Sequence, residues 1–291
     1  MRLTLIGTGL IGGSAAWAMK NAGVFDAVTA CDLSLINAQC AVNRGIADRA
    51  TTSIAEAMQE ADAVMVAVPV LAIPKVFAAI APYLRPGTPV TDVGSTRTLV
   101  ITGARQALGE HFVDYAPVHP IAGGEMPGIE YADADLFEGK KAISTPAPGM
   151  GEKARDFWED AWFRCGSLIE RMSPEEHDEI FAAVSHLPHV LAYGLVDAMA
   201  KTANASKKFS LVGAGFKDFT RIAASSPAMW RDICLANRDA ILKSLALFEG
   251  EIHDLHKMIA RGDADAILEV FERASQARRT VGMRAPSVRK E

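Results

Sequence analysis

Leu3-Thr4-Leu5-Ile6-Gly7-Thr8-Gly9-Leu10-Ile11-Gly12-Gly13-Ser14 is the stretch whose reading decides the fold. A short β-rich run enters a Gly-x-Gly-x-x-Gly turn, and an Ala-rich helix spans Ala15 to Asn21. In such a turn the first glycine allows the tight reversal and the second lets the backbone approach a pyrophosphate. The third lets helix and strand pack closely. Phosphates then sit at the helix N-terminus, where unpaired N–H groups point outward. The motif is weak alone, but strand before and helix after are the context it requires. Gly7, Gly9 and Gly12, with Leu10 and Ile11 between them, form the first candidate cofactor set.

Outward from this turn, the next apolar run, Ala27 to Cys31, ends in Asp32, twenty residues beyond Gly12. An acid there accepts the adenosine ribose hydroxyls and repels a 2′-phosphate. Leu33-Ser34-Leu35-Ile36 offers no arginine to such a phosphate, so NAD is favoured over NADP. Asp32 could equally cap a helix beginning near Leu35. Helices are expected over Ser34–Arg44 and Ser53–Glu60. Ala63 to Val68 is continuously apolar, as a central parallel strand covered on both faces should be. It stops at Pro69, which places Val68 and Pro69 beside the cofactor set.

Val70 to Leu84 reads as a helix, Pro89 to Val93 as a strand and Thr98 to Gly109 as a helix. Phe112 to Ala116 reads as a strand leading to His119. Further strands are expected at Lys141–Thr145 and Ser167–Arg171, with a helix over 151–164 between them. Repeated βα alternation is the mark of a doubly wound, mostly parallel sheet.

After Met172 the strand signal disappears. Ser173-Pro174-Glu175-Glu176 combines an N-cap serine, proline at the first helical position and acids in the first turn. The helix it opens should reach about Ala203, bent or broken at Pro188. It is apolar almost all round, which implies burial on every side. Amphipathic helices are expected near Pro227–Glu249 and Ala264–Arg279. The expected domains are therefore 1–172, a nucleotide-binding sheet domain, and 173–291, an all-helical domain. Such a helical domain can bury its apolar helix against its own helices or a second copy, and a homodimer is favoured.

Composition narrows the classes. Of 291 residues 49% are hydrophobic, and the net charge of −5 lacks the basic balance of a nucleic-acid binder. The basic run from Arg284 to Lys290 reads as a solvated terminus. Cys31, Cys40, Cys165 and Cys234 show neither metal nor disulfide spacing and read as reduced core thiols of a cytoplasmic protein. No uninterrupted apolar window of membrane-spanning length is present, so no membrane span is expected.

Chemistry is expected in two places. Thr91 to Glu125 sets Ser95, Thr96 and His119 among loop glycines, where strands should be ending. Ligands of open α/β sheets bind at those ends. In the second half, His186 and His189 are three apart and share a helix face. His177 reads as ordinary. No third ligand accompanies the histidine pair, so no metal site is expected. Gly213 to Arg221 reads either as a surface loop or as a clamp, since arginine gives a bidentate partner for a carboxylate.

Together these residues resemble the prephenate/arogenate dehydrogenase family. The resemblance rests on Gly7-x-Gly9-x-x-Gly12 with Asp32, Asp92-Val93-Gly94-Ser95-Thr96 and His119-Pro120-Ile121-Ala122-Gly123. Ser185-His186-Leu187-Pro188-His189 and Phe216-Lys217-Asp218-Phe219-Thr220-Arg221 complete it. It implies a Rossmann domain followed by an all-α dimerisation domain similar to the C-terminal part of 6-phosphogluconate dehydrogenase. It also implies NAD-dependent oxidative decarboxylation of prephenate, or of arogenate.

By the resemblance His119 takes the proton of the substrate hydroxyl, and Ser95 aligns base and hydroxyl beside the nicotinamide. Arg221 pairs with the ring carboxylate, and His189 with His186 meets the side-chain end. Thr96, Glu125 and Trp230 join the substrate set. No mutase segment or regulatory domain is expected. Two other readings use the same plan: a β-hydroxyacid dehydrogenase, which wants a catalytic lysine motif that Lys201 lacks, and a non-catalytic dinucleotide sensor, which does not need His119, Ser95 and Arg221 together.

Overall fold

The computed structural model describes residues 1–124 and 126–281. Five parallel strands, in the order β3-β2-β1-β4-β5, build the main sheet from β1 (Arg2–Ile6), β2 (Ala27–Cys31), β3 (Arg49–Thr51), β4 (Ala63–Val66) and β5 (Val90–Asp92). Leu3 stands in register with Val28 on one side and Ala63 on the other. A second sheet holds β6 (Val118–Pro120), β7 (Lys141–Ser144) and β8 (Leu168–Arg171), with β7 antiparallel to β6 and parallel to β8. A parallel bridge from Val90 to Tyr115 leads from β5 to the segment entering β6. β6 therefore runs with β5, and His119 joins the row of carboxyl ends.

Both faces of the main sheet are covered. On one side Leu3, Leu5, Val28 and Met65 pack with α1 (Leu10–Asn21), next to α2 (Leu35–Asn43), and with Trp158 and Trp162 of a later helix, Glu152–Arg164. On the other, Ile6, Val64, Val66 and Val90 meet α3 (Ile54–Met58), α4 (Ile73–Ile80) and α5 (Thr98–Leu108). Glu152–Arg164 is α6. This two-sided cover explains why β4 is apolar at every position.

Three local expectations change. β3 went unread because three residues at an edge, with Arg49 exposed, carry no pattern. Phe112 to Ala116 is no strand: residues Gly109–Asp114 form tight 3-10 turns, whose three-residue period puts Phe112 and Tyr115 on one buried face. Val70–Leu84 is not one helix, since α4 is flanked by 3-10 turns at Val70–Ala72 and Ala81–Tyr83.

The second half is helical: α7 (Pro174–Phe181), α8 (Leu187–Ala200), α9 (Ala205–Ser210), α10 (Ala214–Thr220), α11 (Pro227–Ala236), α12 (Arg238–Arg261) and α13 (Ala264–Thr280). Ser173 caps α7 by accepting from the Glu176 N–H, as its sequence requires. Pro188 does not break the helix. A π-helical turn at Ala182–His186 joins α7 to α8, and Pro188 falls in the first turn of α8, where its missing donor matters least. The helix expected over Pro227–Glu249 divides at Asn237, between α11 and α12.

The chain divides into two compact units, Met1–Ile241 and Leu242–Glu291. Within the first, α7 lies against α5, and α11 lies against the Val70–Ala72 turn. Trp230 and Ile233 of α11 thereby enter the same core as α4 and α5. The first helices past residue 172 are thus built onto the sheet. The second unit, the rest of α12 with α13, exposes Leu247, Ile259, Leu268 and Phe271.

The α7–α8 helix, expected to be covered on every side by the chain's own helices or by a second copy, keeps one side open in the single chain, with Val184 65% exposed and Leu195 39%. Among the described residues of Met1–Ile241 no helix covers those side chains. Pro174–Ala200 is long and apolar enough to cross a membrane, with 27 residues and a mean hydropathy of 1.3. It also carries His177, Asp178, His186 and His189, all of which the fold uses internally.

Candidate active site

The Gly-rich turn has the geometry its sequence requires. Gly7 has φ of +95°, and a Cβ there would lie 2.4 Å from the Ala67 carbonyl oxygen. A Cβ on Gly12 would meet the Gly7 carbonyl oxygen at 2.4 Å. Gly9, by contrast, faces open space, and α1 begins there without a side-chain cap. The turn thus leaves a free helix N-terminus beside a bare backbone, which suits a pyrophosphate. Leu10 and Ile11 are half-buried in the first turn of α1, and Val68 and the exposed Pro69 follow β4 next to Gly7.

Asp32 stands at the end of β2 and does not cap α2; Ser34 does that, accepting from the Asn37 N–H. Asp32 Oδ2 accepts from the Thr8 N–H and from its hydroxyl, both at 2.9 Å, and Oδ1 accepts from the Ser34 N–H. The carboxylate therefore ties the Gly-rich turn to the next loop and stays half-exposed.

At the end of β5, a buried ionic cluster shapes the Gly94-Ser95-Thr96 loop. Arg97, fully buried, donates to Asp92 Oδ1 at 2.7 Å, to the Thr96 carbonyl at 2.8 Å and to the Gly94 carbonyl. Asp92 Oδ1 also accepts from the Gly94 N–H, and the Tyr115 hydroxyl donates to Oδ2. Burial pushes the Tyr115 hydroxyl well above its usual range, with Asp92 adding to it. Ser95 is half-exposed at the tip of this loop. Thr96 is fully buried, and its hydroxyl has no partner among the described residues.

His119, in β6, is half-buried. Its Nδ1 lies 2.8 Å from Nε2 of His177, a fully buried residue of α7. His177 Nδ1 lies 3.0 Å from Asp178 Oδ1. Asp178 in turn accepts the N–H groups of Arg97 and Thr98, each at 2.8 Å, and so caps α5 from another helix. Phe181 stacks on His177 at 4.4 Å and meets His119 edge-on at 5.0 Å. The sequence reading of His177 as ordinary is therefore corrected, and Asp178 was not singled out at all. Among the described residues His119 makes its ring hydrogen bond with His177, and no hydrogen bond links it to Ser95.

The remaining histidines line up behind this pair. Asn237, at the break between α11 and α12, donates from Nδ2 to the Asp178 carbonyl at 2.8 Å and lies 3.1 Å from His186 Nδ1. His189 donates from Nδ1 to the Ser185 carbonyl at 2.9 Å and stacks on Trp230, ring centroids 3.5 Å apart. Arg221 follows α10, so the stretch from Gly213 is a helix rather than a loop. Its charge reaches His189. Glu125 lies outside the described residues, as does the basic run Arg284 to Lys290. No group of three metal-ligating side chains occurs among the described residues.

Burial is the first cause of every histidine shift here. It pushes His119 well below its usual value, helped by His177 and Arg97, and it brings His186 down to about 4. His177 is also lowered, against the pull of Asp178. Burial would raise Asp178, but its hydrogen bonds from His177, Thr98 and Arg97 outweigh that and hold it below the usual carboxylate range. These imidazoles are neutral at neutral pH. A histidine whose folded pKa is depressed binds fewer protons folded than unfolded, so its contribution is complete above about pH 6.5 and is lost as pH falls. For His186 alone, the fall from 6.5 to about 4 corresponds to about 3 kcal/mol. The urea midpoint should therefore drop steadily between about pH 6.5 and about pH 4. A flat midpoint across that window would show that these rings are not buried neutral.

Residues 15–170 match the model of the prephenate dehydrogenase nucleotide-binding domain, and residues 173–273 that of its dimerisation domain. The chain belongs to the prephenate dehydrogenase family. It is 36% identical to a cyclohexadienyl dehydrogenase of Zymomonas mobilis over 95% of this chain and 94% of that one. It is 33% identical to a prephenate dehydrogenase of Bacillus subtilis, over 95% of this chain and 75% of the relative. Among solved structures, it resembles A. aeolicus prephenate dehydrogenase in complex with hydroxyphenyl propionate and NAD+. The TM-score is 0.91 at 34% identity, covering 97% of this chain and 98% of that one. An oxidoreductase of the prephenate, cyclohexadienyl or arogenate dehydrogenase type accounts for both halves of the chain.

Proposed function

We propose that this chain is an NAD-dependent prephenate dehydrogenase, acting in the cytoplasm as a homodimer and converting prephenate to 4-hydroxyphenylpyruvate and CO2. The observation that carries the reading is His119. It is a neutral imidazole on the same carboxyl edge as the Gly7–Gly12 turn, with one nitrogen engaged by His177. Residues 1–172 bind the cofactor in this reading, and 173–291 supply substrate contacts and the dimer. The exposed face of α8 and the apolar residues of α12 and α13 are what the second copy covers.

The Gly9 backbone and the α1 N-terminus hold the pyrophosphate, and Asp32 takes the ribose hydroxyls, with no cation among Leu33 to Ile36 to welcome a 2′-phosphate. When bound, NAD+ supplies the hydride acceptor. His119 takes the proton of the C4 hydroxyl, which directs electrons toward C4 as its hydride departs. The C–C bond to the ring carboxylate then breaks, CO2 leaves, and its electron pair aromatises the ring. His119 returns the proton to the oxygen, so no net proton is consumed. Ser95 holds the hydroxyl in line.

Arg221 binds the ring carboxylate in this scheme, while His189, flat on Trp230, meets the side chain with His186 behind it. Arg221→Gln is then expected to raise KM for prephenate about 10- to 100-fold, the worth of a hydrogen bond between charged groups, with a smaller change in kcat. An unchanged KM would move the carboxylate contact elsewhere. A second reading, in which arogenate is also accepted, is favoured by the 36% identity to a cyclohexadienyl dehydrogenase. Side-by-side kcat/KM values for prephenate and arogenate decide between them: a ratio near one, or in favour of arogenate, would displace prephenate as the assigned substrate.

A further inference from the structure

We propose that Asp178 and His177 are positioning residues that fix which nitrogen of His119 carries a proton, leaving Nε2 as the base. The inference rests on His119 being the base of the reaction proposed above. It follows from the order of donors along the chain Asp178–His177–His119. Asp178 accepts two backbone N–H groups, from Arg97 and Thr98, one on each oxygen. It is therefore an acceptor toward its third partner as well, and His177 must place its proton on Nδ1, 3.0 Å away.

A buried, neutral His177 then has a lone pair on Nε2. That lone pair faces His119 Nδ1 at 2.8 Å, so His119 Nδ1 is the donor and the free lone pair of His119 sits on Nε2. The opposite assignment sets two lone pairs against each other at 2.8 Å, or requires a doubly protonated His177 in a fully buried position. Phe181, stacked on His177 and edge-on to His119, packs against both rings, whose planes meet at 62°.

The arrangement does two things for the reaction. Before proton transfer it excludes the tautomer that cannot act as base. After transfer His119 is an imidazolium whose Nδ1–H keeps its acceptor, and the Asp178 carboxylate lies one ring away as counter-charge. The logic is that of a carboxylate that orients a catalytic imidazole, with a second imidazole inserted between them. It also ties the base to the Ser95 loop, because Asp178 grips the backbone at Arg97 and Thr98 directly behind that loop.

The test is ¹⁵N NMR of histidine-labelled full-length protein, free and with NAD+, which reads the tautomer of His119 without turnover. In the native protein His119 should show a protonated Nδ1 and an unprotonated Nε2 at neutral pH. In His177→Phe the proton should move toward Nε2. In the same variant kcat should fall about 10- to 100-fold, the worth of a hydrogen bond to a charged group, with KM for prephenate changed less than about twofold. His177→Gln, whose amide oxygen can accept from His119 Nδ1, should restore both the tautomer and much of kcat. A native spectrum with His119 protonated on Nε2 overturns the proposal, and that measurement stands even if His177→Phe does not fold. A folded His177→Phe with unchanged tautomer and kcat overturns it equally. If the native protein is inactive on prephenate and arogenate yet shows the Nδ1–H tautomer, the reaction assignment fails and the positioning pair stands.

Discussion

His119→Asn should lower kcat by about 10²- to 10⁴-fold, the usual worth of a positioned general base, while NAD+ affinity stays within about twofold. The asparagine keeps a short polar side chain that can still donate to His177 Nε2, so the buried chain to Asp178 persists. What it removes is the ring lone pair. In the proposed reading cofactor binding rests on the Gly7–Gly12 turn and Asp32, whose carboxylate is held by Thr8 and Ser34 rather than by His119. Because burial, His177 and Arg97 all lower the pKa of His119, the acid limb of native kcat should lie below about pH 6.5. In the variant that limb should vanish with the base. A near-normal kcat, or an acid limb unchanged in His119→Asn, would assign the proton transfer to another group.

The second large effect is expected on stability. Arg97→Met leaves the Asp92 carboxylate in a site where both side chains are fully buried. Breaking a buried pair by removing one partner costs about 3–5 kcal/mol. At about 2–4 °C per kcal/mol for a unit of this size, Tm should fall by roughly 6–20 °C. Pairing the change with Asp92→Asn should recover part of the loss, because the two sites are coupled. The loop carrying Ser95 should also loosen, since Arg97 grips both the Gly94 and the Thr96 carbonyls. Any activity left in Arg97→Met should therefore show a lower kcat at temperatures where the variant is still folded. A Tm within about 1 °C of native would mean that the buried Asp92–Arg97 pair does not hold the loop together.

Much of this arrangement was legible in the residues. The Gly-rich turn, Asp32 and the apolar β4 run announce the sheet, because steric and burial constraints there act over a few adjacent positions. Ser95 and His119 were legible as polar residues at strand ends. His177 and Asp178 were not, because acids and a histidine are ordinary in a first helical turn, and only the packing of α7 on α5 brings them to His119. The adjacent His-Asp pair at the start of a long apolar helix was the one local signal available. Arg97 was hidden in the same way: a charged residue before a helix reads as exposed until its partner Asp92 and the carbonyls around it are seen.

Asn237 was lost inside a stretch that reads as a continuous helix, although its side chain joins His186 to the Asp178 backbone. The all-round apolar pattern of the α7–α8 helix shows that the helix is to be covered but not by what, and in the single chain Val184 and Leu195 remain exposed. Burial inferred from a pattern does not say whether the cover comes from the same chain. Pro188 does mark the point where the regular helix changes, but within the first turn of α8 after a π-helical turn rather than as a break. The π-helical turn ahead of it lets the chain absorb a proline and present His186 and His189 in consecutive turns.

The most direct measurement is the reaction of the purified full-length chain with NAD+ and prephenate. The expected result is NADH formation matched one for one by CO2 and 4-hydroxyphenylpyruvate, and lost in His119→Asn. NAD+ binding without NADH formation from prephenate or arogenate, at any pH where the protein is folded, would contradict the account.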